Sequence, residues 1–513
     1  MKTLTPAAIR SAVLPAVLVA SLVAWPGNGL ALAQSGTGSP KILVGLFRAT
    51  AFTVSSAGAL TLKASTAGAE SPASPIAVPS NSEVTFSASG TAISWEVDAS
   101  GASPVKGQSA GPVLIGAPSQ ATQPGSPAGT PQLPGPPPAQ PSTQAASIAV
   151  KKQVSASASF TGASFRGSLL VIPPSGSPPG GLLAANVVDM EDYVQSVVGG
   201  EIPDGWPLEC LKAQAIAARS YAGYSLRLTR DSPARDYDKD FRTVAAGGVL
   251  IWAGTTDQVY RGIGEESAQS VDATRATRGK MLTYGGAPIG AYFCSDAGGM
   301  TEDPRYVWGG SKPYLQAVRE VPHDSPYSSW TVALDEASLA EGLGHLDIEL
   351  AGVPDMIAGY EPGVSGRWMG VTVRSASGLQ TVKSGDFRRV FPQVRSMLFS
   401  SFAVGGGEAS RGQVGAEMEV FVQADGKVAP SVKIGASVLL GNDGRAARNS
   451  RGAVVVSGVT EQAPVTYIIQ GRGWGHGVGL SQYGAKAMAL SGQDAAAILK
   501  LYFPGTVLDQ WWQ

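Results

Sequence analysis

The chain has 513 residues, of which 43% are apolar and only 15% are charged, so it can bury a core of domain size. Its formal net charge is -1, which gives no electrostatic reason to expect nucleic acid or an anionic membrane surface as a partner. The 65 glycines and 36 prolines indicate many turns. Composition therefore excludes a strongly charged binding protein and favours a folded, turn-rich chain.

Residues 1–33 are typical of a signal peptide. Lys2 and Arg10 are the only charges around an apolar run from Ala12 to Trp25, and small residues follow in Ala31-Leu32-Ala33. The run is too short to span a bilayer, which takes about 20 apolar residues, and no later segment reaches that length. An uncleaved signal anchor is the alternative. We expect an exported protein, in the periplasm or at the cell wall, with no membrane span after cleavage.

The next segment, 41–96, predicts short strands because residues 41–56 and 83–96 alternate apolar and polar side chains. From Val97 to Ser159 no aromatic residue occurs, and Pro, Ser, Ala, Gly and Gln dominate. Such a composition cannot bury enough apolar surface to become ordered. We therefore expect 97–160 to be a flexible insertion.

Residues 161–402 and 466–513 carry the helical patterns of the predicted core. A short helix is expected over 189–198, ending at Gly199-Gly200, and a long one from about Pro207 to Leu228. Further helices are expected over 266–277, near Ser338 and over 486–502, and a hairpin over 367–384 with a turn at Ser377-Gly378. Residues 403–465 predict a β-rich insertion or subdomain. The fold class is α+β, with mixed or antiparallel strands around the long helix.

A glycine-rich run near the C-terminus is the most informative local pattern. In GRGWGHGVGLSQYGA, residues 471–485, glycines alternate with Arg472, Trp474 and His476. Glycines allow sharp bends and close approach of a ligand, while the three side chains offer a cation, a stacking surface and a titratable ring. This pattern predicts a polar ligand site.

The cysteine count leaves two alternatives. Cys210 and Cys294 are the only cysteines, so an exported protein could join them in one disulfide. Two buried free thiols fit equally well.

Two blocks together resemble the signature of a known family. EIPDGWPLECLKAQAIAARSYA, residues 201–222, and the glycine-rich run are similar to the blocks of the stage II sporulation protein D (SpoIID) family, which includes the LytB amidase enhancer. YRG at 260–262, AYFCSDAGGMTED at 291–303 and LYFPGT at 501–506 agree with them. The resemblance covers residues 41–513, apart from the two insertions.

The resemblance implies an activity on the bacterial cell wall. Family members of known activity are lytic transglycosylases, which cut peptidoglycan strands without stem peptides between N-acetylmuramic acid and N-acetylglucosamine and leave a 1,6-anhydro end. The glutamate of the family's Glu-(Met/Ile)-Pro block is the catalytic acid, and it falls on Glu201. Other members are described as activators of an amidase. Peptidoglycan strands and a cell-wall amidase are the implied partners.

The residues around Glu201 allow two interpretations. The apolar neighbours Ile202 and Trp206 favour a raised pKa, as a general acid needs. A solvated carboxylate near a helix N-terminus would instead have a lowered pKa. Glu209, in the first turn of the next helix, is the rival carboxylate and is expected to interact with the helix dipole.

The predicted glycan-binding residues come from both blocks and from one turn between them. His476 could share proton transfer or simply order the backbone, and Arg219 and Gln214 could be buried structural residues instead. The predicted set is Arg219, Tyr221, Ser295, Arg472, Trp474, His476, Ser481 and Gln482.

No metal and no cofactor are predicted. Some family members are thought to hold zinc with His and Cys around the turn at 295–302. This chain offers only Cys294 there, and His323 and His345 show no ligand spacing.

Two functions remain open at this stage. The first is a lytic transglycosylase with Glu201 as acid and base. The second is a glycan-binding activator of an amidase that uses the same groove without turnover. The presence of a glutamate at position 201 favours the first.

Overall fold

The structure is a computed structural model that describes residues 39–64, 75–99, 101–117, 147–154, 160–173, 181–228, 251–350, 356–375, 377–405 and 466–513, with short strands between 418 and 455. The predicted signal peptide, the centre of the predicted insertion at 118–146 and most of 403–465 lie outside the described residues.

Two sheets form the N-terminal half of the described chain. The seven-stranded sheet has the order Ile251–Trp252, Lys41–Ala49, Leu182–Asp189, Ser168–Ile172, Val113–Gly116, Leu60–Ala64, Ile76–Val78. The six-stranded sheet has the order Ser164–Phe165, Ile148–Val154, Ala51–Ser55, Glu83–Ser89, Ala92–Asp98, Val105–Ser109. Their inner faces share one core, in which Phe47, Phe52 and Phe86 are buried. The strands predicted at 41–56 and 83–96 are confirmed.

The prediction of a flexible insertion over 97–160 is wrong at both of its ends. Val97 belongs to the strand Ala92–Asp98, and three further strands, Val105–Ser109, Val113–Gly116 and Ile148–Val154, lie inside the range. All four residues of Val113–Gly116 are buried. Small aliphatic side chains suffice there because Val113 and Ile115 join the same core as the buried phenylalanines.

Smaller sheets complete the strand inventory. They pair Lys280–Tyr284 with Ala287–Pro288 and Val507–Gln510; Phe293–Cys294 with Leu480–Ser481; Thr466–Gly471 with Trp330–Asp335 and Phe399–Gly405; and Trp368–Ser375 with Met356–Pro362 and Gly378–Lys383. Three short pairs follow: Met418–Val420 with Val432–Ile434, Gln423–Ala424 with Lys427–Val428, and Ala447–Arg448 with Val454–Val455. The predicted hairpin at 367–384 is confirmed.

The helices of the described residues are α1 (Met190–Glu201), α2 (Leu208–Ser225), α3 (Ala268–Ala276), α4 (Arg305–Trp308), α5 (Glu336–Gly344), α6 (Ser384–Val390), α7 (Gln482–Leu490) and α8 (Ala495–Tyr502), with a 3₁₀ turn at Ile263–Glu265. The long helix α2 is central, since it packs against α1, α3, α7 and α8. The α+β class is confirmed. In the part of the chain that the structure describes, no helix is long and apolar enough to cross a membrane.

Two predicted helix boundaries are wrong. Gly199 and Gly200 do not end α1, which continues to Glu201. A Cβ at Gly199 would collide with the Glu265 carbonyl, so this glycine permits close packing rather than a stop. The single helix predicted over 486–502 is broken into α7 and α8, because Gly492 has a φ of 87° and the Asp494 side chain caps the second helix at Ala497.

Candidate functional site

Glu201 is the last residue of α1 and contacts the second sequence block. Its Oε1 accepts a hydrogen bond of 2.8 Å from the Val259 amide, and its Oε2 accepts one of 3.3 Å from Nε2 of Gln482. Gln482 lies 281 residues later in the chain and opens α7. The fold therefore joins the two blocks at the predicted catalytic acid.

Burial raises the pKa of Glu201, while the Val259 amide, Gln482 and Arg261 oppose that shift. The location of Glu201 at the C-terminal end of α1 also disfavours a negative charge, because the helix dipole is negative there. The alternative of a charged carboxylate at a helix N-terminus is therefore wrong. The surroundings favour a carboxyl group that keeps its proton to higher pH than an exposed glutamate does.

His476 is a neutral imidazole in this structure. The Val478 amide donates a 3.0 Å hydrogen bond to Nδ1, which places the ring proton on Nε2. Burial, together with the nearby cations Arg388 and Arg367, lowers the pKa of His476 to about 3. An imidazole that remains neutral cannot act as a cationic acid at physiological pH, so the geometry favours an ordering or binding role.

A cavity of about 400 Å³ lies beside His476. Two predicted site residues, Tyr221 and His476, line it, whereas Glu201 does not. The Tyr221 hydroxyl donates a 2.6 Å hydrogen bond to Asp257 Oδ1. The other polar and aromatic lining residues were not predicted from the sequence: Thr255, Thr256, Asp257, Tyr292, Phe293, Tyr306, Trp308, Arg367, Trp368, Ser384 and Arg388.

Comparison with known proteins identifies the family. Residues 179–284 match the family model described as "Stage II sporulation protein", SpoIID. This segment includes α1, α2 and α3, and with them Glu201 and Tyr221. The family model and the relatives below support the similarity to the SpoIID family that the sequence blocks predict.

Relatives extend the similarity beyond the SpoIID segment. The amidase enhancer of Bacillus subtilis (strain 168) is 30% identical over 326 residues, which make up 62% of this chain and 40% of that protein. Stage II sporulation protein D of the same organism is 28% identical over 336 residues, 63% of this chain and 75% of that protein. An uncharacterized protein of Brachyspira hyodysenteriae is 26% identical over 347 residues, 67% and 72% of the two chains. The chain thus spans less than half the length of the amidase enhancer.

An aromatic strip begins five residues after Glu201. It consists of Trp206, Tyr483, Tyr327 and Trp474, with successive ring centroids 4.8, 5.7 and 4.5 Å apart. Lys486 lies over Trp206 at 4.6 Å, and Arg395 lies over Trp474 at 4.9 Å. Trp474 is 39% exposed. Tyr483 directly follows Gln482, the residue that contacts Glu201. The sequence predicted only Trp474 of this surface.

Arg219 is not a substrate-binding residue, and its prediction as one is wrong. Its side chain is fully buried, and Nη2 lies 2.6 Å from Oε2 of Glu191. Nη1 donates a 3.1 Å hydrogen bond to the Lys280 carbonyl. The arginine therefore joins α2 to α1 and to the strand Lys280–Tyr284, as in the alternative of a buried ion pair.

Ser481 is also structural, so its prediction as a glycan contact is wrong. It is fully buried, and its Oγ accepts hydrogen bonds from the amides of Gly484 at 3.4 Å and Ala297 at 3.2 Å. It caps the N-terminus of α7. Capping α7 helps to place Gln482, the next residue, against Glu201.

The remaining predicted contacts lie near the surface. Arg472 is exposed, and its backbone is fixed by a 3.0 Å bond from its amide to the Leu398 carbonyl. Ser295 is half-buried, and its carbonyl accepts a 3.0 Å bond from the Tyr483 amide. Their glycan contacts stay predictions.

Gln214 is fully buried on α2, and neither of its amide atoms has a hydrogen-bond partner among the residues the structure covers.

Both cysteines are free and buried, which decides between the two alternatives of the sequence. Burial raises the pKa of Cys210 and of Cys294 to about 12. Neither thiol is therefore set up as a nucleophile.

Asp296, Glu320 and His323 form a cluster that the sequence did not predict. Each offers an atom within 4.8 Å of the others, so the set could hold a metal ion. His323 Nε2 lies 3.3 Å from Asp296 Oδ1, and this hydrogen bond raises the pKa of His323 to about 9. Glu320 already accepts hydrogen bonds from the Gly299 amide and from the Tyr502 hydroxyl. Glu320 and His323 are close in sequence, but the third member, Asp296, is brought to them only by the fold.

Proposed function

We propose that this protein is an exported lytic transglycosylase that acts on peptidoglycan strands without stem peptides. The observation that carries the proposal is the Glu201 carboxyl group, which is half-buried, has a raised pKa, and accepts a hydrogen bond from Gln482 of the second block. Export is supported by the sequence pattern of residues 1–33.

A single acid suits this reaction. No other carboxylate in the described chain is among the groups that shift the pKa of Glu201. Glycoside hydrolases commonly use a pair of carboxyl groups, one of which activates water or attacks the sugar. A lytic transglycosylase needs only one because the sugar supplies its own nucleophile.

The proposed cycle returns Glu201 to its starting state. Protonated Glu201 donates its proton to the glycosidic oxygen, and the bond from that oxygen to C1 of N-acetylmuramic acid breaks. The resulting carboxylate takes the proton of the 6-hydroxyl group, whose oxygen then bonds to C1. The products are a free 4-hydroxyl end and a 1,6-anhydro end, and no water is consumed. General acid-base catalysis of this kind contributes about 10²- to 10⁴-fold.

The test uses purified protein and peptide-free glycan strands, with the products identified by mass spectrometry. Wild type is expected to release anhydro-ended fragments, whereas Glu201→Gln should lose at least about 10²-fold in rate. Glu209→Gln is the matched control, since Glu209 pairs with Lys212 at 2.7 Å and lies outside the proposed site. Binding of strands by both wild type and Glu201→Gln without any product from wild type would overturn catalysis.

That outcome would favour the second candidate, an activator of a cell-wall amidase. It is supported by the similarity to a protein named amidase enhancer. The aromatic strip would then hold the glycan without turnover. Amidase activity would rise on addition of either wild type or Glu201→Gln, because activation would not need the acid.

A further inference from the structure

Two arginines of the cavity beside His476 have no ion-pair partner among the described residues. Arg388, on α6, makes one hydrogen bond, from Nε to the Val394 carbonyl at 3.4 Å. Arg367 is 3% exposed; its Nη2 donates to the Ala297 carbonyl at 2.7 Å and its Nη1 to the Met300 carbonyl at 3.1 Å and to Ser365 Oγ at 3.0 Å, while its Nε has no partner. Among the described residues, no carboxylate lies within ion-pair distance of either guanidinium group.

This arrangement is electrostatically unfavourable in the absence of a ligand. Taking a guanidinium group out of water is costly unless an anion or several hydrogen bonds compensate. Burial lowers the pKa of both Arg367 and Arg388, and the charge of Arg367 lowers the pKa of Arg388 further. The same two charges lower the pKa of His476 to about 3. A carboxylate bound at this wall would relieve all three effects.

The remaining lining of the cavity suits a sugar ring. The rings of Tyr292 and Trp308 lie 4.8 Å apart, and Trp308 lies 4.9 Å from the ring of His476. Asp257 also lines the cavity and accepts hydrogen bonds from the Tyr221 hydroxyl and from the Trp252 amide. A volume of about 400 Å³ falls within the usual range for a small-molecule site. The lining thus combines two cations with aromatic rings and hydrogen-bonding groups.

We propose that Arg388 and Arg367 bind the carboxylate of an acidic sugar, namely the free lactyl group of a muramic acid residue. This inference rests on the proposed function. In a strand that bears stem peptides, the lactyl carbonyl is part of an amide, which carries no charge and continues into the peptide. The two arginines therefore distinguish peptide-free strands from peptide-bearing ones, and Arg388 is the specificity-determining residue.

The experiment measures binding by the full chain carrying Glu201→Gln, so that turnover does not interfere. The probes are peptide-free glycan strands and the same strands after conversion of their carboxylates to neutral methylamides. The protein should prefer the free carboxylate by about 10- to 100-fold, as expected for charge-assisted hydrogen bonds. Adding Arg388→Gln should remove this preference and leave the affinity for amidated strands unchanged.

Two further variants make the result interpretable. Arg389→Gln is the matched control, because Arg389 is exposed and pairs with Asp386 at 2.8 Å, and it should keep the full preference. Arg388→Lys keeps the charge without the forked donor geometry and should give an intermediate preference. Unchanged thermal unfolding would show that Arg388→Gln is folded. If that variant does not fold, Arg388→Lys decides the matter.

The outcomes separate this inference from the proposed function. Equal affinity for free and amidated strands would overturn the carboxylate subsite and leave the transglycosylase proposal intact. An equal loss of affinity for both probes in Arg388→Gln would also overturn it. A protein that binds neither probe would contradict the proposed function, and the subsite with it.

Discussion

The glycine-rich run contributes to two neighbouring regions whose electrostatics are opposite. At the end of α1, Gln482 contacts Glu201, and among the described residues Arg261 is the only cation that shifts the pKa of that carboxyl group. In the cavity, His476 lies close to Arg367 and Arg388 and loses almost all of its basicity. The comparison shows why a catalytic acid and a subsite for an anion lie in different regions. Arginines beside Glu201 would lower its pKa and keep the carboxyl group ionised.

A third arginine belongs to neither region, and its removal should have the largest effect on stability. Arg219→Met is expected to lower the free energy of unfolding by about 3–5 kcal/mol, because Glu191 would remain buried without its cation. Urea denaturation measures this change. The exposed Arg472→Met serves as the control and should change the free energy by less than about 0.5 kcal/mol. A stable Arg219→Met protein with weakened glycan binding would restore Arg219 as a substrate contact.

The aromatic strip should affect the affinity for glycan but not the protonation of Glu201. Trp474→Ala is expected to weaken binding of peptide-free strands by about 2- to 10-fold through lost ring contacts, with an unchanged pH profile. Tyr284→Ala removes an exposed ring outside the strip and is the matched control. If both variants bind like wild type, the strip is not a glycan surface.

Gln482 should have the smallest effect, on the position of the pH profile. The rate needs protonated Glu201, so it should fall as pH rises through the pKa of that group. Gln482 donates to the ionised form and lowers this pKa, and Gln482→Met should therefore move the falling limb to higher pH. Initial rates across a pH series measure the shift. A limb displaced to lower pH would contradict the hydrogen bond assigned to Gln482.

Much of the fold could be predicted because its signals are local. The alternation of apolar and polar side chains predicted the strands at 41–56 and 83–96. Ser267 caps α3 close to the predicted helix boundary. The errors arose where tertiary packing decides the outcome. Gly199 resembles a helix stop but serves a close contact, and Val113–Gly116 is ordered only because two strands of its sheet flank it.

The site residues that could be predicted are those that lie in a recognised sequence motif. Glu201 and Gln482 come from the two recognised blocks, and the structure joins them. Arg219 and Ser481 come from the same blocks, yet they face inward, which a polar residue type does not reveal. Arg388 and Trp308 could not be predicted, because they come from segments without a motif and reach the cavity only through the fold.

The most direct test of the central claim asks whether water enters the product. Peptide-free strands are digested by the wild-type protein in water enriched in heavy oxygen, and the new ends are weighed. Single-acid catalysis by Glu201 predicts 1,6-anhydro ends. Their mass is lower than that of hydrolysed ends by one water molecule, and they contain no heavy oxygen from the solvent. Reducing ends that carry heavy oxygen would contradict the account, because they would require a water nucleophile and a second group to activate it.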